Sequence, residues 1–141
     1  MVSVSFTACI QARRLLFANA DTVDVFLRHL WAAADRWACT VPAYCFMPDH
    51  VHVLLQGKTA SSDTRRAFIH FKQSSGYWMV RNRQGFTWQK GFYDRVLRTE
   101  GALRREVRYI VENPVRKRLV VDWRDYPFTG SLEANVEDLA S

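Results

Sequence analysis

The run Pro48-Asp49-His50-Val51-His52-Val53-Leu54-Leu55-Gln56-Gly57 constrains the fold more than any other stretch of the chain. Apolar β-formers alternate with other residues and a glycine closes the run, which is the pattern of a strand. Side chains alternate faces along a strand, so Val51, Val53 and Leu55 point one way and His50 and His52 the other. The apolar set predicts the buried face. Val41 to Met47 reads as a preceding strand, and the Pro48-Asp49 turn between the two predicts an antiparallel hairpin.

The rest of the chain is arranged around that hairpin. Val2 to Ile10 alternates apolar and small polar residues, as a strand does. Asn19 or Asp21 can cap a helix to about Trp37, whose stripe of Val23, Phe26, Leu27, Leu30, Ala34 and Trp37 follows the helical period. Ser61-Ser62-Asp63 caps a second helix, about Thr64 to Val80, with Phe68, Phe71, Ser75 and Trp78 on one face. Trp88 to Tyr93 leads into a fourth strand ending at Leu97. A third helix runs from about Glu100 to Glu112, and Asn113-Pro114 should end or kink it, because proline disfavours helical geometry in the residue before it. The order β-α-β-β-α-β-α predicts an α+β fold: a ferredoxin-like, split βαβ antiparallel sheet with helices packed on it and an added C-terminal helix. One domain over residues 1–131 is expected, with 132–141 a short acidic tail and the chain loose after Pro127.

Composition narrows the class. A chain of 141 residues, 48% hydrophobic and 13% aromatic, is not disordered and can bury a core without disulfides or a structural metal. No apolar run approaches the roughly 20 residues a membrane span needs, and there is no signal-peptide pattern at the start. Cys9, Cys39 and Cys45 lack Cys-x-x-Cys spacing and read as buried thiols. A bacterial cytoplasmic protein is the expectation.

The net charge of +6 is unevenly placed, with fourteen Lys or Arg against four acids from Arg65 to Arg118. Sixteen of the twenty cations are arginine, which pairs bidentately with phosphate. Such a surface can simply be solvated, but its concentration in one half favours a nucleic-acid partner.

His50 and His52 lie side by side on one strand face, within reach of one metal ion, although a His-x-His pair alone is weak evidence for one. The third helix carries the complementary residues. Leu103, Val107, Ile110 and Val111 form its apolar stripe; Tyr109 lies to one side, with Asn113 one turn further along. A tyrosine there is ordinarily an amphipathic edge residue, and Asn113 alone is ordinarily a helix terminus. Arg104, Arg105 and Arg108 precede Tyr109, and Arg116, Lys117 and Arg118 follow it. Together with Arg65, Arg66 and Lys72 these are the candidate DNA-binding cations. A phenol attacks a phosphodiester only when the phosphate charge is offset and the nucleophile is aligned. A divalent ion on His50 and His52 would supply the first condition, and the Asn113 amide oxygen is suited to complete an Mg²⁺ or Mn²⁺ site.

Tyr44-Cys45-Phe46-Met47-Pro48-Asp49-His50-Val51-His52-Val53-Leu54 resembles the His-hydrophobic-His block of single-tyrosine transposases of the HUH superfamily. Trp88-Gln89-Lys90-Gly91-Phe92 and Arg108-Tyr109-Ile110-Val111-Glu112-Asn113-Pro114-Val115-Arg116 resemble later blocks of the REP-associated tyrosine transposase branch, as does Trp123 to Ser131 with Tyr126-Pro127. The likeness runs in order from about Val2 to Ser131. It implies cleavage and joining of single-stranded DNA, usually beside a hairpin, through a 5′-phosphotyrosine. On this likeness Tyr109 is the nucleophile and His50, His52 and Asn113 are the metal ligands. Two departures stand out: Lys117-Arg118 replaces a glycine common after the Val-Arg pair, and Asp49 stands where asparagine is common. The family likeness is compatible with a monomer, the preferred expectation, or with a dimer that exchanges the tyrosine helix.

Two other readings compete. A ferredoxin-like sheet with aromatics and arginines can hold single-stranded nucleic acid without chemistry. A small metallohydrolase would need a further His, Asp or Glu at catalytic-zinc spacing. His29 and His70, on helices, read as ordinary surface or boundary residues. Tyr44, Tyr77, Tyr93 and Tyr126 are rival nucleophiles, but none has an asparagine or glutamine one helical turn beyond it.

Overall fold

The computed structural model describes residues 2–133 and 135–140. Strand β1 spans Ser3–Cys9, helix α1 Ala20–Arg36, strands β2 and β3 Cys39–Met47 and His50–Gly57, and helix α2 Thr64–Asn82. Strand β4 (Tyr93–Leu97), helix α3 (Glu100–Val111), the short helix α4 (Asn113–Arg116), strand β5 (Thr129–Gly130) and helix α5 (Val136–Ala140) follow. The sheet order is β4-β1-β3-β2-β5, with every neighbouring pair antiparallel. The first four strands have the split βαβ arrangement expected from the sequence, and β5 extends one edge.

Local chemistry sets the elements. Asn19 caps α1 through its side-chain oxygen, which accepts from the Asp21 and Thr22 amides. Asp63 does the same for α2 at Arg66, and Thr99 for α3 at Ala102. Glu112 closes α3, and Pro114 sits in the first turn of α4, where its missing N–H costs no hydrogen bond. The helix therefore kinks at Asn113-Pro114, as the proline predicts.

The sheet separates two cores. On one face α1 and α2 cover Val4, Phe6, Ala8, Val51, Val53 and Leu55, with Phe17, Phe26, Phe46, Phe68 and Phe71 filling the layer. Phe6 stacks on Phe68 at 4.6 Å, and Phe26 meets Phe46, Phe71, Trp78 and Trp88 edge-on or nearly so; such contacts add to the hydrophobic gain. On the other face α3 and the C-terminal segment cover Ala43, Cys45, Met47, Leu54 and Leu97. His50 and His52 belong to this second face, which the strand alternation requires.

The chain after Pro127 is docked rather than loose, contrary to the sequence expectation. The Leu132 amide donates to the Val41 carbonyl at 3.0 Å, and Glu133 Oε1 accepts from the Val41 amide at 3.0 Å. Val136 is buried in the second core, and Arg124 pairs with Glu137 at 3.4 Å. Acidic residues there had suggested a solvated tail; the unpaired edge of β2 supplies the partners that hold it.

Candidate active site

Strand β3 lies between β1 and β2, with His52 opposite Thr7 and Cys45, and His50 opposite Cys9 and Met47. Both imidazoles are buried. The Asp49 carboxylate accepts from His50 Nδ1 at 2.6 Å and from Arg13 Nε at 2.8 Å. An ionised carboxylate only accepts, so it fixes the proton of His50 on Nδ1 and leaves Nε2 as a lone pair. Thr7 Oγ1 lies 2.9 Å from His52 Nδ1 and, as a hydroxyl, can serve either tautomer.

The two Nε2 atoms face each other at 3.2 Å. At the bond length of about 2.1 Å usual for a small divalent ion, that separation subtends about 100° at the ion. The donor set therefore fits a shared cation. Asn113, 4% exposed, places its amide Nδ2 3.4 Å from His50 Nε2; a half-turn of the amide exchanges that nitrogen for its oxygen. Among the described residues no three His, Cys, Asp or Glu side chains cluster to hold an ion, so the candidate ligands are two imidazoles and an amide. Cys45 lies opposite His52 on β2, and burial pushes its thiol up to about 12.

Electrostatics keep both histidines in the form that binds metal. Burial, more than any other cause, lowers His50 from the ordinary imidazole value, although Asp49 opposes the shift. Burial takes His52 down to about 3, helped by the charges of Arg116 and Lys117. The close contact of Asp49 with His50 is therefore a neutral N–H on a carboxylate rather than an ion pair. Burial alone would raise the Asp49 carboxyl, but its bonds from Arg13 and His50 leave it below the usual carboxylate value. Arg13 reaches Asp49 from a tight turn in which Ala12 and Arg13 adopt φ of 59° and 53°, a left-handed pair costly for residues other than glycine.

Tyr109, on the last turn of α3, is 51% exposed and turns its ring toward His52, 6.2 Å between ring centres. The kink at Pro114 folds the chain back so that Arg116 lies over the Tyr109 ring at 3.9 Å. Arg116 also donates to the Tyr109 carbonyl at 2.6 Å and to Asn113 Oδ1 at 3.5 Å. The other tyrosines are placed differently. Tyr126 is buried with its hydroxyl donating to the Phe46 carbonyl, Tyr44 packs with the α1–α2 core, Tyr77 is exposed on α2, and Tyr93 stands on the edge strand.

The candidate cations are scattered. Arg116 and Lys117 are close enough to act on the histidines. Arg104 pairs with Glu100 at 3.0 Å, and Arg105, Arg108 and Arg118 are exposed. Arg65 and Arg66, at the start of α2, pair with Asp94 at 3.5 Å and with Asp63 at 3.6 Å. Lys72 is tied to the carbonyls of Gln89 and Gly91. Sequence reasoning missed Thr7, Arg13 and the orienting role of Asp49. It also missed Glu106, a buried carboxylate one turn before Tyr109 that accepts from Ser5 Oγ at 2.5 Å. The signal for Thr7 and Ser5 was the polar set of β1, whose period of two assigns them to the histidine face.

The family model described as "Transposase IS200 like" matches residues 2–113. A protein from Haemophilus influenzae assigned as a REP-associated tyrosine transposase is 23% identical, over 88% of this chain and 76% of its own length. The solved structure of a REP-associated tyrosine transposase bound to a REP hairpin matches with a TM-score of 0.78 at 20% identity, covering 91% of this chain and 75% of that one. A Deinococcus radiodurans transposase structure matches with a TM-score of 0.57 at 18% identity, covering 79% and 88%. Both structural matches establish likeness of fold. Among the described residues no helix is long and apolar enough to cross a membrane.

Proposed function

The chain belongs to the IS200-like transposase family, and from that premise we propose that it is a metal-dependent endonuclease and strand transferase for single-stranded DNA, acting beside hairpins through a 5′-phosphotyrosine. The observation that carries the reading is the convergence of the His50 and His52 Nε2 atoms at 3.2 Å with the Tyr109 ring alongside.

His50, His52 and Asn113 would hold Mg²⁺ or Mn²⁺, and such an ion, when bound, withdraws charge from a non-bridging phosphate oxygen. Tyr109 supplies the nucleophile. Its phenol oxygen forms a bond to phosphorus as the bond from phosphorus to the 3′ oxygen breaks. The phenol proton ends on that oxygen, leaving a free 3′ hydroxyl and a phosphotyrosine on the 5′ side. One ester replaces another, so the reverse attack by a 3′ hydroxyl can rejoin a strand. Arg116 and Lys117 offset phosphate charge next to the reacting atoms. The cations further out, Arg65, Arg66, Arg104, Arg105, Arg108 and Arg118, with the half-buried Lys72, are the candidates for contacts along the backbone of the DNA. The hairpin is taken as the partner because the REP-associated transposase of like fold was solved bound to one. A protein of this activity works where the chromosome is, bound to the nucleoid.

The experiment is incubation with labelled single-stranded hairpin oligonucleotides and Mn²⁺, followed by a denaturing gel. A covalent protein–DNA band supports strand transfer. Tight binding with neither band nor cleavage would instead support a non-catalytic binding module.

A further inference from the structure

Helix α3 covers only half of the sheet face that carries the histidines. Ser3 and Ser5 of β1 are buried beneath it, whereas Thr7 and Cys9, further along the same face, are half-buried. Beside them Gln89, Lys90, Gly91, Phe92 and Tyr93 close a cavity of about 230 Å³. Thr7 joins this cavity to the candidate active site, because the same side chain holds His52 Nδ1.

The wall of the cavity is built rather than incidental. Gly91, at φ 81°, turns the backbone in a way that favours glycine. Lys72 reaches from α2 to bind the Gln89 carbonyl at 3.1 Å and the Gly91 carbonyl at 2.6 Å. That support leaves Gln89 and Lys90 exposed. Tyr93 pairs with Thr7 across β4 and β1, so it projects from the histidine face. It is 71% exposed and belongs to neither core. An exposed tyrosine on an edge strand is common as a plain β-former. Tyr93 differs in lining a cavity whose wall includes Thr7, the residue that holds the candidate ligand His52.

We propose that this cavity receives one unpaired nucleobase of the DNA strand, next to the phosphate presented to Tyr109. The base stacks on Tyr93, its polar edge meets Thr7 and Gln89, and Lys90 meets the adjoining phosphate. The inference rests on the single-stranded DNA reading above. The cavity falls below the roughly 300–1,000 Å³ of pockets for whole drug-sized ligands, which suits a single base. Lys90 forms no ion pair among the described residues, so its charge is available to an anionic backbone.

The test is fluorescence anisotropy with a labelled DNA hairpin bearing single-stranded tails, and with the same hairpin made abasic at one tail position at a time. Tyr93→Ala should weaken binding to the intact hairpin roughly tenfold or more, the effect of losing one base–aromatic stack. Tyr93→Phe, which keeps the ring, should bind as the wild type does. One abasic position should weaken the wild type to the same degree and leave Tyr93→Ala no worse. Bound DNA should also shield Cys9 from maleimide, with the buried Cys39 and Cys45 unlabelled throughout. Unchanged affinity of Tyr93→Ala, additive losses at every abasic position, or unshielded Cys9 would overturn the proposal. The Tyr109 adduct is scored in the same samples. Adduct without a Tyr93 effect removes the base subsite alone, whereas a Tyr93 effect without adduct removes the strand-transfer chemistry and leaves the subsite.

Discussion

The guanidinium of Arg116 lies 3.9 Å over the ring of Tyr109 while donating to the Tyr109 carbonyl. One side chain thus ties the candidate nucleophile to the turn that presents Asn113, and the kink at Pro114 makes the contact reachable. Arg116→Ala should slow adduct formation by roughly ten- to a hundredfold, the range expected when a nucleophile loses its alignment. Arg116→Lys keeps the charge but not the flat stacking surface, and should fall between the two. Single-turnover cleavage at saturating DNA measures this; equal rates for Arg116→Ala and wild type would detach Arg116 from the reaction.

Metal binding should stabilise the fold through the paired histidines. A ligand at a hundred times its Kd adds about 2.7 kcal/mol to a folded state that alone binds it. Mn²⁺ should therefore raise the Tm of the wild type and leave that of His50→Ala or His52→Ala unmoved. Cys45→Ala should keep the full metal response, since the groups that converge are the two imidazoles and the Asn113 amide. Differential scanning fluorimetry decides it, and a metal-dependent Tm in His52→Ala would place the ion elsewhere.

Lys117 is exposed and its charge weighs on both histidines, which makes it a candidate contact for a phosphate beside them. Lys117→Ala should reduce the slope of log K against log salt by about 0.7, the value for one phosphate on a single strand. Titrations at several salt concentrations read the slope directly. An unchanged slope would leave Lys117 a solvated charge.

Ala38 follows the C-terminus of α1 at φ 57°, a left-handed position that glycine fills without strain. Ala38→Gly should raise stability by about 0.5–1 kcal/mol, the steric relief less the extra freedom of glycine in the unfolded chain. Urea unfolding measures it, and a lower midpoint would contradict the strain.

The strands and helices were legible because their periodicities are strong. Val51, Val53 and Leu55 against His50 and His52 assign the faces of β3, and Pro114 marks the kink. The docked C-terminal segment was not legible. Its anchors, Leu132 and Glu133 on the Val41 backbone, pair with a segment some ninety residues earlier, and no local pattern encodes a contact that distant.

The candidate site was legible in its types more than in its arrangement. His-x-His and the Tyr109–Asn113 spacing marked four residues on three elements, β3, α3 and α4. That Thr7 holds His52 follows from strand register. Register is set by pairing between strands that are remote in sequence. The distribution of the arginines was least legible, because charge density along a sequence carries no information about which cations fold onto the same surface.

Tyr109→Phe tests the central claim most directly. It keeps the ring under Arg116 and removes the only atom of that side chain able to bond phosphorus. Its stability should change by no more than about 1 kcal/mol, and its DNA affinity should be that of the wild type. A denaturing gel of labelled single-stranded hairpin DNA with Mn²⁺ should show adduct and strand cleavage for the wild type and neither for Tyr109→Phe. An adduct formed by Tyr109→Phe at the wild-type level would contradict the account and move the nucleophile to another residue.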